Sequence, residues 1–571
     1  MKHLNSLTGF CAFILLLSNL TIAQVHISGN LAGVLEDTSY VVDGDIYVLE
    51  ADSLVIEPGA EFYFSGDYEF EINGYLYCVG TDNDSIIFVP DTGVPYWGGI
   101  CFEVNSSDSN RLSYVLVTGG YADGNWPYYS GGGILCYACS PTISNSTITG
   151  NYATMSGGGI ALYDDYDGSV VIRDCRIWEN EAGYSGGGIV VYNTTSPLLE
   201  NLDIQGNIAG QFGGGIENGD ASPDIINCNI SKNYCGLGGG GFHSWTDWGT
   251  YMQDCYLSEN ITDGTGGGVL LDFKVYNVHI QNCTVVRNEA EQGGGIAFGP
   301  DGDDLTVDHC LIEDNHAELF GGGMICLGAD GSVYNCTFTN NTADSLGGAY
   351  YSDWELHSLP FYNNIVYGNS DGMYFERTAL DSVLYCDFYD NPGGNFLGVI
   401  PANIGILSTT NLNGDSCDVY SNIYLDPLFV DPSSGDYHLQ GSSPCIDAGD
   451  PLSPYDPDNT IADMGVFYYD QTTGIEKKTD IGSPEVFILH PAYPNPFNPS
   501  TTLNFTLPTA SHLNLSIYNI QGRLLTTLVD GFRDAGAHEV TFKAADIPSG
   551  IYFAIMEIGD YHSVQKLVLL K

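Results

Sequence analysis

The stretch SGGGILCY (130–137) decides the fold, because its glycine triplet keeps coming back. Gly131-Gly132-Gly133 is followed by an apolar residue, Ile134. The same arrangement starts again at Gly157, Gly186, Gly213, Gly239, Gly266, Gly293 and Gly321, and a worn copy, Gly347-Gly348-Ala349, closes the series. Successive triplets start 26 to 29 residues apart. A fixed period in this range means stacked supersecondary units, each contacting its neighbours. Glycine costs about 0.5–1 kcal/mol at a strand position. Three per repeat therefore imply a backbone requirement, either positive φ or a turn with no room for a Cβ.

A second ladder runs in phase with the first. DCRIWEN (174–180), NCNISKN (227–233), DCYLSEN (254–260), NCTVVRN (282–288), HCLIEDN (309–315) and NCTFTNN (335–341) share one pattern. Its closing asparagines are Asn151, Asn180, Asn207, Asn233, Asn260, Asn288, Asn315, Asn341 and Asn369. A leucine-rich repeat would need a leucine-dominated consensus and often a helix per unit. Here Ile, Val, Leu and Phe alternate with polar residues at period two, with no helical stripe between the ladders. Each unit reads as short strands joined by turns, one rung of a parallel β-helix with rungs about 4.8 Å apart. Asparagines stacked in such a column can hydrogen-bond amide to amide.

On these residues the chain resembles the right-handed parallel β-helix proteins of the pectin-lyase-like group, over roughly residues 30–395. The resemblance implies the fold. It does not choose among lyases, hydrolases, epimerases and non-catalytic adhesins, which all use that fold.

Against 71 acidic residues stand 15 Lys+Arg, a formal charge of −56. Such a surface repels phosphate backbones, which excludes nucleic acid as a partner. Met1 to Ala23 reads as a secretory signal peptide: Lys2 and His3, then FCAFILLL (10–17), then Thr21-Ile22-Ala23 as a small-residue cleavage site. No other stretch has the length of a membrane-spanning helix. Cys175, Cys228, Cys255, Cys283, Cys310 and Cys336 share one slot of the repeat, where a free thiol serves as a small buried hydrophobe. Cys417 and Cys445 lie off the ladder and could form a disulfide.

The loops that follow the triplet strands are the expected place for function. They include YDDYDGS (163–169), ENGDAS (217–222), SWTDWG (244–249), LDFKVYN (271–277) and GPDGDD (299–304). Asp164, Asp165, Asp167, Asp301, Asp303 and Asp304 offer oxygens of the kind calcium takes. Tyr163, Tyr166, Trp245, Trp248 and Phe273 offer aromatic faces for sugar rings. Ordinary turn chemistry accounts for the same Asp and Gly content. For catalysis, Asp164 with Asp165 or Asp303 with Asp304 supply carboxylates. Pectate-lyase-like enzymes use calcium with a basic residue as proton abstractor, and Lys274 is the basic residue within this loop set.

Residues 1–23 are thus a signal peptide, 24–130 an N-terminal cap with irregular coils, and 131–391 the repeat body. Residues 392–470 form a cap; YLDPLFVDPSSGDYHLQGSSPCIDAGDP (424–451) resembles the terminal segment that follows β-helices in many bacterial surface proteins. Residues 471–490 read as a linker. Residues 491–571 show six or seven short strands with regular turns, an all-β sandwich. This part resembles the C-terminal sorting domain of the type IX secretion system, through Pro494-Asn495-Pro496-Phe497-Asn498-Pro499, Ser549-Gly550-Ile551-Tyr552 and Lys566 to Lys571. That resemblance implies the type IX machinery as partner and the cell surface or medium as destination. The task expected there is glycan binding or adhesion, with an extracellular polysaccharide as partner. A polysaccharide lyase or glycoside hydrolase on the same loop face is the alternative, and a passive stalk a second.

Overall fold

A computed structural model describes residues 25–471 apart from 166–169, 195, 354–358 and 378–381. It also describes 488–569 apart from 490–494, 496, 498, 499, 508–510, 520–522, 534, 535, 545, 546, 559 and 560. The chain divides after Gln471 into two compact units.

The first unit is a parallel β-solenoid. One rung shows the pattern. Strand Val171–Arg173 precedes the cysteine slot, Arg176–Trp178 follows it, Glu181–Ala182 follows the asparagine, and Ile189–Tyr192 follows the glycines. Each strand pairs in parallel with its counterpart one rung on: Val171 with Leu198, Arg176 with Asp203, Glu181 with Ile208, Ile189 with Ile216. Four ladders result. The ladder before the cysteines alone runs through 14 strands, from Gly33–Leu35 to Val383–Leu384.

The bends between strands explain the repeat's residue types. Asp174 and Glu179 both sit at positive φ (+54° and +52°), as do their counterparts Asn227 and Lys232 (+53° and +57°). Asn and Asp tolerate this left-handed region better than most residues. The three glycines answer three separate demands. Gly157 lies at φ +66°. A Cβ on Gly158 would sit 2.4 Å from the carbonyl oxygen of Glu181. A Cβ on Gly159 would sit 2.7 Å from the Gly188 oxygen and 3.0 Å from Asn180 Nδ2.

The asparagine column is a continuous hydrogen-bonded ladder. Nδ2 of Asn151 donates to Oδ1 of Asn180 at 2.9 Å, and the same bond repeats from Asn180 to Asn207, Asn233, Asn260, Asn288, Asn315, Asn341, Asn369 and Asn391. Each Oδ1 also accepts the main-chain N–H of the preceding asparagine, as Asn180 does from Asn151 at 3.1 Å. The amides are buried and satisfied, which is what a low-dielectric interior requires of them. Inside the tube, Ile160, Ile189, Ile216, Phe242 and Val269 stack rung on rung with no exposure. The cysteines of the shared slot are unpaired and buried. Their thiols donate to carbonyls, as Cys310 does to Asp308 O at 3.2 Å. Cys417 and Cys445 are also unpaired, so the disulfide entertained above is absent; the Cys445 thiol donates to Asp387 Oδ2 at 3.4 Å instead.

The end of the solenoid has two parts. Ile404 joins the main core below the last strand, Phe396–Gly398. The following segment folds back along the flank of the final rungs. Phe429, Tyr437, Leu439 and Met464 cluster with Leu311 and Ile365. Tyr437 donates to Glu313 Oε1 at 2.6 Å, and Val466 N donates to Thr337 Oγ1 at 3.1 Å. The reason lies in one outward column, read at successive rungs: Arg176, Asp203, Asn229, Tyr256, Thr284, Leu311, Thr337, Ile365. It turns apolar at Leu311, and the folded-back segment removes that surface from water.

The second unit has two antiparallel sheets. One holds Ile488–Leu489, Ser500–Leu507 and Gly536–Lys543, and the other Ser511–Asn519, Leu524–Arg533, Gly550–Ile558 and Tyr561–Leu569. Leu503, Phe505, Leu515, Ile517, Tyr552 and Leu567 fill the core of this small β domain.

Candidate functional site

The post-glycine strands place two residue columns on the outer face of the tube. The first and third residues of each strand point inward. The second residues form the column Leu135, Ala161, Val190, Glu217, His243, Leu270, Ala297, Ile325, Tyr351. Seven of its nine members are apolar and buried; Glu217 and His243 interrupt it. The fourth residues form the column Tyr137, Tyr163, Tyr192, Gly219, Trp245.

These columns line a cleft of about 390 Å³. Tyr163, Tyr192, Trp245 and Phe273 line it, together with Trp126, Tyr129, Tyr184 and Phe212. Trp126 lies 4.8 Å from the Tyr163 ring, and Tyr192 lies 5.9 Å from Trp245. Gly219 makes the second contact possible: a Cβ there would stand 2.8 Å from Trp245 Nε1 and 2.9 Å from the Tyr192 ring. Tyr163 donates to Ser130 Oγ at 3.1 Å, which fixes its ring.

At one end of the cleft stand three charged groups in a row. His243 Nδ1 is 2.7 Å from Glu217 Oε2, and both side chains are almost wholly buried. His243 Nε2 is 3.8 Å from Asp272 Oδ2, whose side chain is 39% exposed. Nε2 is buried and has no hydrogen-bond partner among the described residues. The Phe212 ring stacks on the imidazole at 4.7 Å. Burial opposes a charge on His243, but the Glu217 and Asp272 carboxylates outweigh it and raise the ring to about 9. Burial also pushes Glu217 upward, against the pull of His243. The imidazole thus stands between two carboxyl groups, Glu217 on Nδ1 and Asp272 facing Nε2. Among the described residues, no lysine or arginine lines the cleft.

The sequence-level candidates separate. Tyr163, Trp245 and Phe273 meet in the cleft. Trp248 stacks on Tyr276 at 5.2 Å, outside it. Tyr166 and Asp167 lie outside the described residues. Asp164 accepts from Asn193 Nδ2 at 3.0 Å, and Asp165 accepts from Ser140 Oγ. Asp301 and Asp304 take left-handed turn conformations (φ +62° and +57°), and with Asp303 they are exposed. The Asp164 and Asp301 loops are five rungs apart, roughly 24 Å. Among the described residues, no three His, Cys, Asp or Glu side chains are grouped to hold a metal ion. Lys274 is exposed and sets Nζ 4.9 Å from the centre of the Phe273 ring. Glu217 and His243 escaped the sequence reading. The signal was there, as two ionisable residues in an otherwise apolar register column.

Of the sorting motif, Asn495 donates Nδ2 to Lys566 O and accepts Val568 N at Oδ1, both at 2.7 Å. Phe497 N donates to Val568 O at 2.9 Å, and its ring is buried against Phe542. Gly550 opens strand Gly550–Ile558. Pro494, Pro496, Asn498 and Pro499 lie outside the described residues.

Comparison with known proteins agrees with this architecture. The family described as right-handed β-helix region matches residues 10–196 and 159–343. The chain belongs to the right-handed β-helix family. Residues 491–570 match the secretion system C-terminal sorting domain, so this β-helix protein travels by the type IX route to the cell surface or the extracellular space. The Escherichia coli (strain K12) protein "Probable autotransporter YfaL" is 20% identical over 243 residues, 39% of this chain. The match spans about a fifth (19%) of that relative's length. Among the described residues, no helix is long and apolar enough to cross a membrane.

Proposed function

We propose that this β-helix protein binds a carbohydrate chain at the cell surface, in the cleft between Trp126 and Phe273. One observation carries the reading: aromatic rings at Trp126, Tyr192, Trp245 and Phe273 line a single groove along the tube, with Trp126 packed on the buried Tyr163 at the first of its rungs. Those residues cover four rung steps, roughly 19 Å, long enough for several pyranose rings in a row. Aromatic faces suit the C–H side of sugars, and the cleft offers polar groups at one end to orient them. The test is affinity electrophoresis of the full chain through gels holding acidic, neutral or amino polysaccharides. Retardation that disappears in Trp245→Ala supports the reading. Unretarded migration in every gel rejects it.

A specific observation favours turnover as a second reading. A buried carboxylate paired with an imidazole, next to a half-exposed carboxylate, is a proton-transfer arrangement. A polysaccharide lyase or glycoside hydrolase would release new reducing ends from the same polysaccharides. Release abolished by Asp272→Asn would establish it, and no release from any substrate leaves binding alone.

A further inference from the structure

Charge within the cleft narrows the ligand. Resting on the carbohydrate reading, we infer that the cleft takes an amino sugar, whose ammonium group sits against Asp272 between the faces of Trp245 and Phe273.

Four observations lead there. The row Glu217, His243 and Asp272 sums to one negative charge, and the half-exposed Asp272 is the member that meets solvent. No lysine or arginine among the described residues is in the cleft lining; the Lys274 ammonium stands at its margin, over the Phe273 ring. An acidic sugar would bring a second negative charge into this confined space, where screening by water and salt is weakest. The walls are aromatic, and an ammonium gains from an aromatic face as well as from a carboxylate. The molecule supplies its own precedent: the Lys274 ammonium already rests 4.9 Å over the Phe273 ring.

The buried pair has a role in this arrangement. His243 Nε2 is shut away from water, without a hydrogen-bond partner among the described residues, and faces Asp272 at 3.8 Å. Glu217 holds the imidazolium from behind at 2.7 Å. The pair is thus a positioning device. It keeps the Asp272 carboxylate drawn to the cleft end while leaving an outer oxygen for the ligand. Phe212 stacks a neutral ring on one face of the imidazole.

The experiment is tryptophan-fluorescence titration of the full chain with four tetrasaccharides of equal length: glucosamine, N-acetylglucosamine, glucose and galacturonic acid. The whole protein is strongly acidic, so titrations are run at two salt concentrations, with Asp301→Asn as a control for attraction to the general surface. The glucosamine oligomer should bind about tenfold tighter than the two neutral ones. Galacturonate should bind weakest. Asp272→Asn should erase the tenfold preference and leave neutral binding in place, whereas Asp301→Asn should keep it. Equal or tighter binding of a neutral or acidic oligomer overturns the inference, as does a preference that survives Asp272→Asn. In either case at least one oligomer binds and the carbohydrate reading stands. If no oligomer of any charge binds, the carbohydrate reading falls and this inference falls with it.

Discussion

Replacing Asn260 by alanine would measure what the asparagine ladder contributes. The Asn260 amide accepts the Asn233 main-chain N–H at 3.1 Å and its Nδ2 at 3.0 Å. It donates to Ile230 O at 2.8 Å and to Asn288 Oδ1 at 3.0 Å. On truncation, Asn233 Nδ2 keeps its bond to Ile204 O, and Asn288 Oδ1 still accepts Asn260 N. The main-chain N–H of Asn233 keeps no side-chain acceptor. An orphaned buried donor costs about 1–3 kcal/mol, and each further lost bond about 1 kcal/mol. With one orphaned donor and three further lost bonds the sum is about 4–6 kcal/mol, a thousandfold or more in an opening equilibrium. A solenoid opens locally, so a global unfolding midpoint would blur this loss. Native-state hydrogen exchange is the suitable assay. Peptides covering residues 229–233 and 256–260 should exchange about a thousandfold faster or more, while those near Ile365 should not change. Asn260→Asp sharpens the test. Its carboxylate would accept from Asn233 but face two acceptor oxygens, so protection should decline further as pH rises above the aspartate's elevated pKa. An acceleration below about fivefold in Asn260→Ala, under about 1 kcal/mol, would refute the claim that hydrogen bonding, rather than shape alone, selects asparagine at this slot.

Other outcomes follow from named contacts. The Glu217–His243 pair stabilises the fold through a ring raised to about 9, so its contribution is complete below the unfolded value of about 6.5 and lost as pH climbs through about 9. Native-state hydrogen exchange of peptides covering residues 216–219 and 242–245, corrected for intrinsic rates, should show a decline of about 3 kcal/mol across that window, flattened in Glu217→Gln. Gly219→Ala should push Trp245 and Tyr192 apart, weakening ligand binding by about 1–2 kcal/mol with the solenoid intact by circular dichroism. Asn495→Ala should cost about 1–2 kcal/mol in the sorting domain by losing both bonds to the last strand. Deleting residues 491–571 should trap the protein in the periplasm; surface labelling that persists after deletion would contradict the export route.

Much of the fold was legible because the repeat makes each constraint appear many times. The first glycine of the triplet announces positive φ, the next two announce crowding, and the asparagine announces a stacked amide. The folding-back of residues 424–470 was less visible. It depends on one outward column turning apolar at Leu311, which period-two alternation alone does not mark. The site was legible in part. Tyr163, Trp245 and Phe273 stood out as aromatics in loops, and they do meet. Trp248 looked the same in sequence, yet three residues further along the turn carry it to another face. Glu217 and His243 were hidden because acids and histidines in loops are ordinary, and their meaning appears once strands are set in register. Acidic loops drew attention to Asp301, Asp303 and Asp304, where turn geometry accounts for the residues.

Because each rung hydrogen-bonds to the next in the same way, the tube behaves as a ruler graduated in steps of about 4.8 Å. The cleft draws on the rungs up to Phe273, and the folded-back segment grips the flank from Leu311 onward. Duplicating or losing a whole 26-to-29-residue unit between them would break no register, since its asparagine, cysteine and glycine slots would dock on either neighbour. Lineages could thus lengthen or shorten the reach of the binding groove from the folded-back end by single graduations while leaving both surfaces untouched.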